Sequence, residues 1–188
     1  MNTVLQQDRT AVKDFAAVTP PLHLPDDTST VQGALVKALD YCAHKLNLSS
    51  LQKSLEKMRE GDREALAYCH YQLAQQVAEA LGALDDHVRS VSLYESEATP
   101  EDRAFGENPE SLPIHLLVWT DRRTSALSAL VAALDRALVK DYVEMIGPRR
   151  LGHVLDVKVI DDKDVESRRG IAALLYSLYS RPIQLWKR

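Results

Sequence analysis

The stretch SLPIHLLVW, residues 111–119, decides the fold. Its apolar run begins at Pro113, contains the β-branched Ile114 and Val118, and leads into Trp119 and Thr120, as in a strand covered on both faces. One imidazole, His115, interrupts the aliphatics. Strand parity sets Pro113, His115 and Leu117 on one face and Ile114, Leu116 and Val118 on the other. N-terminal to it, HVRSVSLY (87–94) alternates apolar and polar residues and reads as a strand. Between them lie the 18 residues 95–112, mostly polar and long for a connection without structure of its own.

C-terminal to it, residues 121–148 form a long helical pattern with Leu127, Leu130, Leu134, Leu138 and Met145 on one side, ended by Gly147 and Pro148. GHVLDVKVIDD (152–162) is the third strand, with Leu155, Val157 and Val159 on one face and Asp156 and Lys158 on the other. Asp161 or Asp162 caps a last helix bearing Ile171, Leu174, Leu175 and Leu178, which Pro182 stops; PIQLWKR (182–188) adds a short strand or a docking tail.

The first half is helical. Residues 1–27, with TPPLHLPDD, read as an extended or disordered arm. Ser29 and Gln32 form a capping box before Val31, Leu35, Leu39, Cys42 and Leu46; Ser49 and Gln52 repeat it, and Gly61 closes the second helix. A third helix runs over 63–84 on Leu66, Cys69, Leu73, Val77, Ala80 and Leu84. The expected fold is α+β: a small mixed β-sheet packed with helices, preceded by a helical N-terminal region. The expected division is an arm (1–27), N-terminal helices (28–62) and an α+β domain (63–188).

Composition narrows the function classes. Among 188 residues, 45% are hydrophobic and 27% charged, as in an ordinary globular chain. The net charge of -4 gives no broad positive field, so nucleic acid is not the expected partner. No apolar run is long enough to span a bilayer, and MNTVLQQDRTAVKDF lacks the apolar core of a secretory signal. With two cysteines, Cys42 and Cys69, both on helical stripes, the expectation is a cytoplasmic protein with core thiols.

The succession SVSLYESEA, LPIHLLVW and VLDVKVID resembles the nucleotidyltransferase superfamily (the DNA polymerase β-like fold), in particular its minimal bacterial members, over residues 63–180. In that family one strand ends in an hhFGSRA-like turn, a second carries SDIDLLV, and a third, after a long helix, supplies a carboxylate in a VDLV-like segment. The resemblance implies a nucleotidyltransferase-like sheet and a site built on the matching positions. Ser96 matches the serine of the turn and Asp156 the third-strand carboxylate. Glu95 replaces the glycine, and Pro113 and His115 stand in the places of the two metal-binding aspartates. Lys158 shares the face of Asp156.

These departures remove what the chemistry needs. Nucleotidyl transfer uses Mg²⁺ to bridge phosphate oxygens, and Mg²⁺ takes hard oxygen ligands. Proline has no side-chain donor, and imidazole suits softer metals. Glu95 puts charge where a glycine lets backbone N–H groups approach phosphate. Residues 95–112 hold six acids against one base, Arg103, a net charge of -5 that repels a nucleotide. Neither metal nor cofactor is expected.

On residue chemistry alone, His115 is a histidine hydrogen-bonded to a neighbour; the sharper reading is a remodelled pocket in which it meets Asp156 in a contact that responds to pH. His153, Asp156 and His115 lack the spacing of a zinc site. The pairs Arg122–Arg123, Arg149–Arg150 and Arg168–Arg169 are solvated helix-end charges unless they converge on an anion. Asp85 and Asp86, before His87, are a loop. The R-x4–6-H pattern of the helical ribonucleases that accompany minimal nucleotidyltransferases is absent from the first 60 residues.

Three readings follow: a non-catalytic binding or regulatory protein, with a protein partner or a second copy of itself; an active transferase with Asp156, Glu95 and Glu97 around a metal; and an unrelated α+β interaction domain.

Overall fold

Helix α1, Ala34–Lys45, starts from Gly33, whose φ of 84° lies in the left-handed region where glycine is at ease. It buries Leu35, Leu39 and Cys42. The computed structural model describes residues 33–94, 113–147, 151–179 and 181–188, so the arm, Ser29, Val31 and Gln32 lie outside it. Helix α2, Leu51–Glu60, is capped by Ser50 rather than Ser49: the Ser50 hydroxyl accepts the Lys53 N–H at 3.4 Å. Gln52 closes no capping box there, because its amide donates to Glu56 one turn on. Helix α3, Arg63–Leu84, begins where the Asp62 carboxylate accepts the Ala65 N–H at 3.0 Å. It buries Leu66, Cys69, Leu73, Val77 and Ala80, and both thiols of the chain are free and buried.

Strands β1 (Val88–Leu93), β2 (Ile114–Thr120), β3 (Leu155–Asp161) and β4 (Ile183–Lys187) form one mixed sheet in the order β3-β2-β1-β4. β1 is antiparallel to β2 and β4, and β2 is parallel to β3. A parallel pair needs a crossover, which helix α4, Ser125–Ile146, supplies. Thr124 caps α4 by accepting the Leu127 N–H at 3.0 Å. The chain is thus α+β, as its pattern predicts.

One sheet face, with Val88, Val91, Ile114, Leu116, Val118 and Leu155, shares a core with helices α1 to α4. On the other face Leu117 and Ile160 pack with Tyr94, Val165 and Ala172 in a smaller cluster. β2 is therefore apolar on both sides, which accounts for its unbroken aliphatics.

The expected last helix is two pieces. Asp161 caps α5, Asp162–Ser167, in a capping box with Asp164. Arg168 (φ 52°) and Gly170 (φ 55°) then turn left-handed and end it, and residues Gly170–Tyr176 continue as a 3-10 helix. Ile171, Leu174 and Leu175 pack on the smaller cluster, but Leu178 is 91% exposed and takes no part in it. No helix of the described residues is long and apolar enough to cross a membrane.

Between α3 and α4, the His70 ring contacts the Tyr142 hydroxyl at 3.4 Å, and burial pushes its pKa down to about 4. The fold therefore favours the neutral ring. Stability should be complete above the unfolded value of about 6.5 and fall as pH drops from there toward 4. The ring is only half-buried, so water offsets part of the penalty and the loss should be about 1–2 kcal/mol. Denaturant titrations at pH 7 and pH 4 check this: His70→Gln should flatten the decline, and an unchanged decline rejects the assignment.

Candidate functional site

Parallel pairing of β2 and β3 sets His115 opposite Asp156 and Leu117 opposite Lys158. The start of β3 is fixed from α4, where Asp135 Oδ1 accepts the backbone N–H of Val154 at 2.8 Å and of Leu155 at 2.9 Å. Asp135 Oδ2 lies 2.9 Å from His153 Nδ1. The sequence reading missed Asp135. Its signal was a carboxylate directly beside the buried position Leu134, on the core side of the helix.

Asp156 is the centre of the site. Its Oδ2 lies 3.1 Å from His115 Nδ1, and its Oδ1 lies 2.8 Å from Lys158 Nζ. Tyr94, just past β1, donates its backbone N–H to the His115 carbonyl at 3.1 Å. Its ring centroid stands 5.4 Å from that of His115, tilted by 46°. The pairing of His115 with Asp156 is thus present, with a phenol and an ammonium added.

The charges are arranged against ligation. Burial raises the Asp156 carboxyl, but hydrogen bonds and charge from Lys158 and His115 outweigh it and hold the group below its ordinary value. Burial, with the Asp156 charge behind it, pushes the Tyr94 phenol up to about 12, so its proton stays at neutral pH. Both Asp156 oxygens are already engaged. Pro113, half-buried where β2 begins, has no side-chain donor to offer. Among the described residues no three His, Cys, Asp or Glu side chains gather as a metal would require.

The other candidates go elsewhere. His153 belongs to Asp135, and its side chain is 74% exposed. Arg123 pairs with Asp161 and Asp164, Arg122 reaches His87 Nε2, and Arg168 lies over the Tyr176 ring. These arginines therefore serve separate partners. Asp86 holds Arg188, and His87 holds Asp121, so the turn before β1 is tied down. Glu95, Ser96 and Glu97, and the pair Arg149–Arg150, lie outside the described residues.

No family model, curated protein or solved structure matches the chain. The likeness to nucleotidyltransferases therefore rests on the three strand segments and the motif positions they carry.

Proposed function

We propose that this chain is a non-catalytic binding or regulatory protein on a nucleotidyltransferase-like scaffold. One observation carries the reading. Asp156, the one carboxylate matching the family's three, is neutralised by Lys158 at 2.8 Å on one oxygen and bonded to His115 at 3.1 Å on the other. An ammonium ion provides there the positive charge that the family's chemistry takes from a divalent cation, and it cannot bridge to phosphate as Mg²⁺ does. The adjacency of β1, β2 and β3 in one sheet, with a long helix between β2 and β3, supports the scaffold.

The partner in this reading is a protein, a second copy of the chain included. Ile183 of the edge strand β4 is 56% exposed, and Leu178 and Tyr179, which precede it in the chain, are 91% and 99% exposed; these apolar side chains support it.

Calorimetry with ATP, CTP, GTP and UTP in the presence of Mg²⁺ tests the proposal. The expected result is no metal-dependent binding at micromolar concentration. Metal-dependent binding in that range, or nucleotide transfer to any acceptor that Asp156→Ala abolishes, overturns it in favour of the active transferase.

A further inference from the structure

The sheet face that carries His115 holds a second concavity toward the C-terminal end of β2. Between β1, β4 and the segment from α5 to the 3-10 helix lies a cavity of about 860 Å³, within the range of small-molecule sites. It involves neither His115 nor Asp156 and does not depend on the scaffold reading.

The cross-strand pairs Ser90–Lys187 and Ser92–Gln184 contribute all four residues to its lining. A register shift between Val88 and Ser90 brings Arg89 to the lining as well. Two rings complete it, and both are fixed by their polar ends. The Trp119 indole N–H donates to Asp162 at 2.7 Å, and the Tyr176 hydroxyl donates to the Val165 carbonyl at 3.2 Å. Rings held in this way lose little freedom when a flat ligand meets them.

Four carboxylates and four cations surround the cavity, but they are not equally matched. Asp86 holds Arg188 at 3.1 Å, Asp121 holds His87 at 3.0 Å, and Asp162 holds the indole. Arg89 is only loosely shared, 3.9 Å from Asp121 and 3.8 Å from Asp162. Arg181 and Lys187 have no ion pair or side-chain hydrogen bond among the described residues, and neither does Glu166 on the same lining. The eight charges sum to zero, but Arg181 and Lys187 are the cations that no carboxylate engages among the described residues.

We propose that this cavity binds a small aromatic anion, its ring against Trp119 and Tyr176 and its phosphate or carboxylate toward Arg181 and Lys187. Phosphate monoesters and carboxylates share this chemistry, and the test separates them. Phenyl phosphate, benzoate, inorganic phosphate and benzamidine are titrated into the full chain while the two indole N–H resonances, of Trp119 and Trp186, are followed by NMR.

Phenyl phosphate or benzoate should shift the Trp119 signal saturably and leave Trp186 in place, and the tighter of the two names the acidic group. Arg181 and Lys187 are exposed, so the double variant R181A/K187A should keep the wild-type melting temperature. It should weaken binding about tenfold or more. The proposal is overturned if neither anion saturates at millimolar concentration, if benzamidine binds as well, if inorganic phosphate alone matches phenyl phosphate, or if the double variant binds like the wild type.

Discussion

Asp135→Ala should destabilise the fold by about 3–5 kcal/mol, a large share of the 5–15 kcal/mol that a domain has in total. The carboxylate is 9% exposed and accepts two backbone N–H groups, from Val154 and Leu155, that are themselves buried. Truncation leaves both donors without water or protein, at about 1–3 kcal/mol each. Asp135→Asn keeps an acceptor oxygen without the charge, and its cost should be about 1–2 kcal/mol. His153→Ala removes only an exposed partner and should cost less than about 1 kcal/mol. Chemical denaturation gives the three values, and hydrogen exchange at the Val154 and Leu155 amides gives the mechanism. A loss for alanine no larger than that for His153→Ala would show that the two amides find other acceptors. The effect should reach the site, because β3 places Asp156 opposite His115.

Gly82→Ala should also destabilise, although helix propensity alone argues the other way. Inside a helix alanine is favoured over glycine by about 1 kcal/mol. Here a methyl group at Gly82 would lie 2.2–2.5 Å from three atoms of the Trp186 indole, closer than any carbon pair tolerates. The ring must move, and β4 with it, since Arg188 also donates to the Gly82 carbonyl at 2.9 Å and Gln75 to the Leu185 carbonyl at 3.2 Å. The overpacking should cost about 2–4 kcal/mol and leave a net loss of about 1–3 kcal/mol. Trp186→Ala should cost about 2 kcal/mol, less than a fully buried ring, because the indole is half-buried. The decisive measurement is Gly82→Ala in the Trp186→Ala background, where the sign should reverse to a gain of about 0.5–1 kcal/mol. If Gly82→Ala has the same effect in both backgrounds, Trp186 is not what requires the glycine.

Period and parity carried much of this fold in the sequence. The aliphatics of β2 showed a strand covered on both faces, and counting by twos put His115 and Asp156 on faces that the parallel pairing then joined. Lys158 shared that parity, but a face assignment does not say that its ammonium reaches the same carboxylate. The last helix was misread because apolar spacing continues through Arg168 and Gly170, where two left-handed residues break the helix. Asp135 was missed because its partners are backbone amides 19 and 20 residues away, which no side-chain pattern announces. The cavity escaped for a related reason: it is assembled by strand irregularities in β1 and β4 and by that broken helix, all of them tertiary outcomes.

The sheet order has a consequence for synthesis. Among the described residues β4 is the last strand, yet it pairs with β1, the first. While the polypeptide leaves the ribosome, β1 can pair with β2 on one side and has no β4 on the other until residues 183–187 emerge. Nascent chains ending before Ile183 would present an open row of amides and carbonyls, with the floor for Trp186 at Gly82 uncovered, and such edges invite pairing between molecules. Chains arrested at that length should associate with one another or with chaperones, and extension through β4 should end it.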